Sequence, residues 1–345
     1  MSRPGVPPVV VLYVCAQSEK EMSDTVSKRV SVVIPCYRGE KFIARALNSI
    51  DNHRAFAVEV IVIEDGVYDD TRKVLEQFSK VKHLSYPENK GAPYARNLGL
   101  HNVDTEYVMF LDCDDEIEPP LIEELANELD RTGADLGFGP QKSIRVGSMK
   151  TGIKRPPDAA PFLIACNWLA GFYGPNPSAI MWRTASVRRI GGWQEALIKN
   201  QDGELVVRAL LSNLVPCAVH KGAGVYHIHH QGTIRTSSDR KALDSHLLVA
   251  KMVEDKFDQL SEDDRKKLSA ALRFYYLGRL NVAAKIADWE LIRFWVGKIS
   301  KPGELLFQRY AKRPTYFVML FFLTLRMTWL GVFFFSRFYF IKARK

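Results

Sequence analysis

The chain has 345 residues, of which 47% are hydrophobic and 25% are charged, the composition of an ordinary folded protein of one or two domains. Its net charge of +9 comes from the segment beginning at Lys298, which has ten Lys or Arg and one acidic residue, whereas the rest of the chain is neutral. This distribution argues against a nucleic-acid-binding protein, whose basic patch usually lies on the folded domain. A basic tail next to an apolar stretch instead favours contact with an anionic membrane surface.

The five cysteines are scattered, and no two of them form a C-x-x-C pair. This pattern argues against a zinc cage or a disulfide framework and fits a reducing compartment. The short apolar stretch from Val9 to Val14 is preceded by one basic residue, Arg3, and a signal peptide requires a longer apolar core. We therefore expect residues 1–29 to be an N-terminal extension.

The first 140 residues alternate between strand and helix patterns. Strands are predicted at Val30–Ile34, Val58–Ile63, His83–Tyr86, Tyr107–Leu111 and Ala134–Gly139, and helices at Ile43–Ile50, Asp69–Phe78, Pro93–Leu100 and Pro119–Leu129. Such alternation predicts an α/β fold with a mostly parallel, Rossmann-like sheet flanked by helices. Ligands bind to such sheets beyond the carboxyl ends of the strands.

A long segment without clear periodicity, Ser143–Pro161, is rich in Gly, Pro and Lys, which predicts a disordered region or an active-site lid. After it the patterns predict helices near 161–171 and 202–211 and strands near 179–182, 215–219 and 225–229. The chain from Asp239 to Lys301 is predicted to be helical, with a capping box at Ser261. We expect this region to be a C-terminal helical extension of the fold.

Three acidic residues, Asp112, Asp114 and Asp115, directly follow a predicted strand. Asp112 and Asp114 are two positions apart and would point the same way in an extended segment. A hard divalent cation such as Mg²⁺ or Mn²⁺ would relieve their mutual repulsion and would also bind a diphosphate. The alternative is a solvated acidic turn ahead of a helix, where acidic residues complement the helix dipole.

Other polar residues lie near the same predicted edge of the sheet. Asp65 ends the second strand and is either an acceptor for a nucleobase N–H or a turn residue. Tyr37 either stacks on a base or packs against the protein. Lys90 and Arg96 add two cations, which a diphosphate would attract.

Five segments, in this order and at this spacing, resemble the signature of the family-2 glycosyltransferases, which have the GT-A fold. They are Val30–Tyr37 (VSVVIPCY), Ile61–Gly66 (IVIEDG), Asn89–Gly99 (NKGAPYARNLG), Phe110–Asp115 (FLDCDD), and Gly191-Gly-Trp193 followed by Asp202 and Arg208. The resemblance covers residues 30 to 235. It implies an enzyme that uses a nucleotide-diphosphate sugar as donor.

The resemblance also implies roles for the matching residues on the donor side. Pro35 and Tyr37 would line the nucleobase pocket, and Asp65 would bind the base. Asp112 and Asp114 would form the D-x-D motif that holds Mn²⁺ or Mg²⁺. His230, in the segment His-Gln-Gly-Thr, would complete the metal or diphosphate site.

On the acceptor side, Asp202 would be the general base that takes a proton from the acceptor hydroxyl in a single, inverting displacement. Two positions depart from the family pattern, since Glu64 stands where Asp is common and Gln201 where Glu is common. Gln201 puts the type of acceptor in doubt. His227 and His229 would share one face of a strand, so a separate zinc site is an alternative to hydrogen-bonded or surface histidines.

The chain is predicted to have four parts. These are an N-terminal extension (1–29), a GT-A catalytic domain (30–238, with 30–118 for the nucleotide sugar and 119–238 on the acceptor side), a helical region (239–311) and a basic, apolar membrane-associated helix (312–345).

The last part contains twenty residues, Tyr316–Phe335, with a single charge at Arg326. This length can span a bilayer. A central Arg costs about 2.5–3.5 kcal/mol, against about 4–7 kcal/mol returned by the Leu, Phe and Val residues. The helix is thus predicted either to span the membrane once or to lie in its interface, and a soluble core or dimerisation helix is the alternative. Because the donor is cytosolic in this family, we place the protein at the cytoplasmic face of the inner or plasma membrane.

Together these features predict an inverting, metal-dependent glycosyltransferase that modifies a glycan or lipid-linked acceptor in the synthesis of a surface polysaccharide, lipopolysaccharide or other glycolipid. A sugar-phosphate nucleotidyltransferase would require a Gly-rich loop after the first strand, and the chain has Cys36-Tyr-Arg-Gly39 there. A non-catalytic nucleotide-sugar-binding scaffold of the same fold is the other alternative.

Overall fold

The structure is a computed structural model of the chain. It describes residues 10–11, 29–51, 57–66, 69–147, 151–157, 159–174, 176–228 and 240–285, together with five single positions between 290 and 298. His230 and the predicted membrane helix 312–345 lie outside the described residues. The described residues divide into two units, one containing those up to Ile164 and from Tyr173 to Ile228, the other containing Ala165–Phe172 and those from Arg240 onward.

The elements are numbered in chain order. The strands are β1 (Val10–Val11), β2 (Val30–Cys36), β3 (Val58–Asp65), β4 (Val81–Tyr86), β5 (Tyr107–Phe110), β6 (Glu116–Glu118), β7 (Leu136–Phe138), β8 (Gln141–Arg145), β9 (Thr151–Lys154), β10 (Ile180–Arg183), β11 (Pro216–Ala218) and β12 (Ala223–Ile228). The helices are α1 (Ile43–Asp51), α2 (Thr71–Leu75), α3 (Ala92–His101), α4 (Leu121–Thr132), α5 (Pro161–Leu169), α6 (Thr184–Arg189), α7 (Gln201–Leu211), α8 (Arg240–Glu254) and α9 (Glu262–Lys285), with 3-10 turns at Pro177–Ala179 and Phe257–Gln259.

The first unit contains an eight-stranded sheet with the order β1-β4-β3-β2-β5-β10-β7-β11. The neighbouring strands β4, β3, β2 and β5 are mutually parallel, whereas β10 runs antiparallel between β5 and β7. A second sheet has the order β6-β12-β8-β9. The predicted α/β fold with a mostly parallel sheet flanked by helices is confirmed.

β2 is buried along its whole length and carries apolar side chains on both faces. Val30, Val32 and Ile34 belong to a core cluster shared with α1 and α4. On the opposite face, α3 approaches β2 so closely that a Cβ on Gly99 would lie 2.3 Å from Val33 Cγ1. The glycine therefore allows α3 to lie directly over β2, and this contact positions Arg96, one turn earlier in α3.

The prediction of an irregular segment from Ser143 to Pro161 is wrong over β8 and β9, which form an antiparallel pair. β8 also pairs in parallel with β12, more than eighty residues later in the chain. β8 is held as a strand by its pairing with β12. Because β12 is distant in the chain, the local periodicity of residues 141–145 does not reveal this pairing.

The prediction of a helix from Asp69 to Phe78 is too long, because α2 covers only Thr71–Leu75. The Asp69 carboxylate accepts hydrogen bonds from the Thr71 N–H and hydroxyl, at 3.1 and 2.6 Å. Asp69 thus forms a turn that precedes the helix.

The second unit is helical where it is described. α9 begins after Ser261, whose hydroxyl oxygen accepts the Asp264 N–H at 3.1 Å and lies 2.9 Å from the Asp264 carboxylate. The predicted cap at Ser261 is confirmed. Within the ranges that the structure describes, no helix combines the length and the apolar character needed to cross a membrane.

Candidate active site

The carboxyl ends of β2, β3 and β5 lie side by side, because β2 pairs in parallel with both other strands. Tyr37 follows β2, Asp65 ends β3, and Asp112 comes two residues after β5. The parallel pairing places these three predicted site residues at one edge of the sheet.

Asp65 is 3% exposed, and both oxygens of its carboxylate accept hydrogen bonds from the protein. Oδ1 accepts from the Tyr86 hydroxyl at 2.8 Å and the Lys90 N–H at 2.7 Å. Oδ2 accepts from the Asn89 amide and the Gly91 N–H, both at 2.9 Å. Asp65 therefore holds the loop that leads into α3. For a nucleobase N–H to reach this carboxylate, one of the four donors has to move.

The two residues predicted to line the base pocket differ in exposure. Pro35 is buried within β2, whereas Tyr37 is 44% exposed, and the Arg38 guanidinium lies 5.3 Å from the Tyr37 ring. On the neighbouring loop, the exposed Lys90 ammonium lies 4.5 Å from the centre of the Tyr94 ring. Two cations and two aromatic rings, of which Tyr37 is exposed, thus border this edge of the sheet.

The segment from Asp112 to Asp115 is a turn, closed by a hydrogen bond of 2.9 Å from the Asp115 N–H to the Asp112 carbonyl. The premise that strand alternation makes Asp112 and Asp114 point the same way is therefore wrong. The turn is also held from α1, since Arg45 donates to the Asp114 carbonyl at 2.5 Å.

Asp115 is buried beneath this turn, and its Oδ1 accepts the His227 N–H from β12 at 2.9 Å. Burial, together with the charges of Asp112 and Asp114, raises the pKa of the Asp115 carboxyl well above its usual value. His227 Nε2 lies 2.7 Å from Glu116 Oε1. For His227 the structure thus supports the hydrogen-bonded alternative; His229 lies outside the described residues.

Arg45, Glu116 and His227 form a clamp around the acidic turn, which sequence reasoning missed. Glu116 Oε1 lies 3.1 Å from Arg45 Nε as well as 2.7 Å from His227 Nε2. The clamp joins α1, β6 and β12, which are far apart in the chain. No motif or periodicity in the sequence indicates it.

Arg96 connects the acidic turn to the helix that carries the predicted base. Its Nη2 lies 2.5 Å from Asp112 Oδ1, its Nη1 donates to Gln201 Oε1 at 2.9 Å, and its guanidinium lies 4.4 Å from the Trp193 ring. The residue is only 5% exposed. Gln201, noted in the sequence as a departure from the family pattern, therefore serves as a neutral acceptor for this buried cation.

Asp202 lies in the first turn of α7, directly after Gln201. It retains some surface exposure, but neighbouring atoms enclose its carboxyl. This desolvation raises the pKa of Asp202, and the Gly203 N–H and the charge of Arg96 offset part of the effect. The negative charge of Asp112 also raises the pKa of Asp202, which indicates that Asp202 lies near the acidic turn.

The loop before α7 is fixed to α3 and α7 by side chains of the predicted motifs. Asn97 accepts the Trp193 N–H at 2.8 Å and donates to the Trp193 carbonyl at 2.9 Å. Arg208 donates to the carbonyls of Ile190 and Gly192. Through these contacts, Gly191-Gly-Trp193 and Arg208 position α7.

Gly192→Ala should destabilise the fold more than Gly191→Ala. The φ angle is positive at both positions, +65° at Gly192 and +89° at Gly191, so alanine at either position introduces backbone strain of about 1 kcal/mol. Only at Gly192 would the new Cβ also meet a neighbour, at 2.7 Å from Asn97 Oδ1. We expect a loss of about 1 kcal/mol for Gly191→Ala and about 2–3 kcal/mol for Gly192→Ala in urea denaturation. Equal losses would contradict this account of the loop.

The acidic turn has the chemistry that a hard divalent cation requires. Asp112 and Asp114 offer carboxylate oxygens. Burial is the main cause of the raised pKa of Asp115, and the negative charges of Asp112 and Asp114 raise it further. Within the described residues, no group of three or more His, Cys, Asp or Glu side chains is arranged to hold a metal ion. Asp112 and Asp114 would thus supply only part of a coordination shell, and a donor diphosphate would supply further oxygens.

Comparison with solved structures shows the class of fold. The chain superposes on the crystal structure of S. aureus TarS 1-349 in complex with UDP-GlcNAc with a TM-score of 0.62, covering 79% of this chain and 80% of that chain at 20% identity. The two share the GT-A fold, as the sequence predicted.

Residues 31–173 match the model of glycosyl transferase family 2, and this part of the chain is a domain of that family. Glycosyltransferase GlyA of Streptococcus pneumoniae is 33% identical over 117 residues, which are 33% of this chain and 17% of that protein. The teichoic acid poly(glycerol phosphate) polymerase of Staphylococcus epidermidis is 32% identical over 94 residues, 26% of this chain and 13% of that protein. The matches therefore span less than a fifth of either relative.

Proposed function

We propose that this protein is an inverting glycosyltransferase that moves a sugar from a nucleotide-diphosphate donor to a hydroxyl group of a glycan or lipid-linked acceptor. The observation that carries this proposal is the position of Arg96, which contacts Asp112 of the acidic turn and Gln201 beside Asp202 at the same time. A donor-binding motif and a candidate base are thus joined through one guanidinium.

In the proposed reaction, Asp202 takes the proton from the acceptor hydroxyl as its oxygen attacks the anomeric carbon of the sugar. The bond from that carbon to the diphosphate breaks on the opposite face, and the nucleoside diphosphate leaves with the electron pair. Enclosure of the Asp202 carboxyl favours its neutral form, which makes it a stronger base than an exposed aspartate once it is ionised.

The donor is proposed to bind along the edge formed by β2, β3 and β5. The UDP-GlcNAc in the TarS structure supports a nucleotide sugar as donor. Lys90 and Arg96 would attract the diphosphate, and Pro35, Tyr37 and Asp65 border the proposed base pocket. A divalent cation held by Asp112 and Asp114 would neutralise charge on the departing diphosphate.

The acceptor is proposed to belong to a cell-surface polymer, as the names of the curated relatives suggest. Association with the cytoplasmic face of a membrane through residues 312–345 remains a prediction from the sequence.

A thermal-shift panel of UDP-, GDP-, dTDP- and CMP-sugars, each with Mn²⁺ and with EDTA, tests the proposal. A ligand at about one hundred times its Kd stabilises the folded state by about 2.7 kcal/mol. We expect a metal-dependent shift with one nucleotide class. Donor binding without turnover on any acceptor would support a non-catalytic scaffold, and no shift with any donor would contradict the proposed site.

The pH dependence of transfer tests the role of Asp202. The carboxyl must be ionised to accept a proton, and its pKa is raised above the usual value of about 3.9. Activity should therefore fall as pH falls through this raised pKa, so the acidic limb of kcat/KM should lie above the pKa of an ordinary aspartate. Donor binding measured over the same range serves as the control. An acidic limb at the ordinary value would assign the base to another group.

A further inference from the structure

The β8–β9 hairpin carries positive charge that its own sheet does not neutralise. From Gln141 to Pro157 the sequence has five Lys or Arg and no acidic residue. The two acidic residues of the sheet, Glu116 and Glu118, already contact other cations: Glu116 lies 3.1 Å from Arg45 Nε, and Glu118 lies 2.6 Å from Lys142 Nζ. Within the described residues, Arg145 and Lys154 have no ion pair, and both are exposed.

The pairing of the hairpin places these two cations on one face. Gln141 pairs with Lys154, and Ser143 pairs with Gly152. Since alternate residues of a strand share a face, Arg145 lies on the same face as Gln141, Ser143 and Lys154. At 3.3 Å per residue, the two cations are about 13 Å apart along the hairpin. Ser143 and Gly152 lie between the two cations, and Tyr226 of β12 lies beside Ser143 on the same face.

The hairpin lies beside β12, the strand that contacts the acidic turn of the candidate active site. β8 pairs in parallel with β12, and Ile144 lies opposite His227. The His227 N–H donates to Asp115 directly beneath the acidic turn. The carboxyl end of β8, which carries Arg145, is thus one strand away from the residue that contacts this turn.

We propose that this face of the β8–β9 hairpin binds the acceptor, and that the acceptor is a soluble polymer bearing phosphate groups. The inference rests on the proposed function and narrows its acceptor class. Two exposed cations about 13 Å apart suit an extended polyanion, because successive phosphates can reach both charges. Arg155, which follows Lys154 and is also exposed, extends the positive charge beyond β9.

Binding of the full-length protein to fluorescent poly(glycerol phosphate) at several salt concentrations tests the proposal. We expect salt to weaken binding, and Arg145→Glu and Lys154→Glu each to lower the affinity about tenfold. Lys80→Glu is the matched control, since Lys80 is exposed and precedes β4 at the opposite end of the parallel strands; it should change the affinity less than about twofold. Because these positions are exposed, all variants should fold as the wild type does.

Two further probes identify alternative occupants of the face. If a neutral dextran of the same length bound equally well, and salt did not weaken its binding, the proposal of an anionic acceptor would be overturned. Loss of binding to vesicles with anionic lipid, but not to the soluble polymer, would assign the face to the membrane and overturn the proposal. Wild-type affinity in both hairpin variants would also overturn it. Nucleotide-sugar binding in the same samples shows separately whether the proposed function fails.

Discussion

Asp202→Asn is expected to lower the rate of sugar transfer by about 10²–10⁴-fold while leaving the affinity for the nucleotide sugar nearly unchanged. The amide has the shape of the carboxylate but cannot accept the proton of the acceptor hydroxyl. The contact between Arg96 and Gln201 does not involve the Asp202 side chain, so we expect the residues proposed to bind the donor to keep their positions. Initial rates at saturating donor, together with donor titrations, measure both quantities.

The same substitution has an expected effect on stability. Enclosure raises the pKa of the Asp202 carboxyl, which means that the folded protein disfavours its charge. A neutral amide should therefore leave the melting temperature at neutral pH unchanged or raise it. Asp104→Asn, at an exposed position before β5, serves as the control and should alter neither rate nor stability. Retention of most activity in Asp202→Asn would show that another group is the base.

Asp114→Asn is expected to remove the metal-dependent part of donor binding. With Mn²⁺ present the donor affinity should fall by about 10–100-fold, whereas in EDTA it should equal that of the wild type. Asp114 is the better position for this test, because Asp112 is ion-paired with Arg96 and its substitution would also disturb that cation. The turn should survive, since Arg45 donates to the Asp114 carbonyl, which the substitution keeps.

Isothermal titration of the donor with and without Mn²⁺ measures this effect, and Asp104→Asn again provides the control. An equal loss of affinity in both conditions would show that Asp114 acts on the donor without a metal. Unchanged affinity in both would remove Asp114 from the donor site altogether.

Much of the donor edge could be predicted, because each of its parts has a local signal. β2 and β3 are runs of β-branched residues, and acidic residues end β3 and follow β5. Once the strands are parallel, their carboxyl ends must meet at one edge. The sequence could not show how these residues are bonded, as with the four donors around Asp65.

The remaining features depend on pairs that are distant in the chain. Arg96 and Gln201 are 105 positions apart, and His227 and Glu116 are 111 apart. Hydrophobic periodicity reports which face of an element is buried but not which partner covers it. For the same reason the sequence predicts a loop over β8 and β9, although β8 pairs regularly with β12 and β9 with β8.

The position of β10 bears on how the chain folds during synthesis. β5 and β7 are neighbours of β10 on either side, so each has an unpaired edge on that side until Arg183 has left the ribosome. A nascent chain that ends earlier exposes two unpaired strand edges, which are templates for association with other chains. The segment that matches the family ends at residue 173, before β10 begins. The boundary of the recognisable family segment is therefore not the boundary of a unit that can fold by itself.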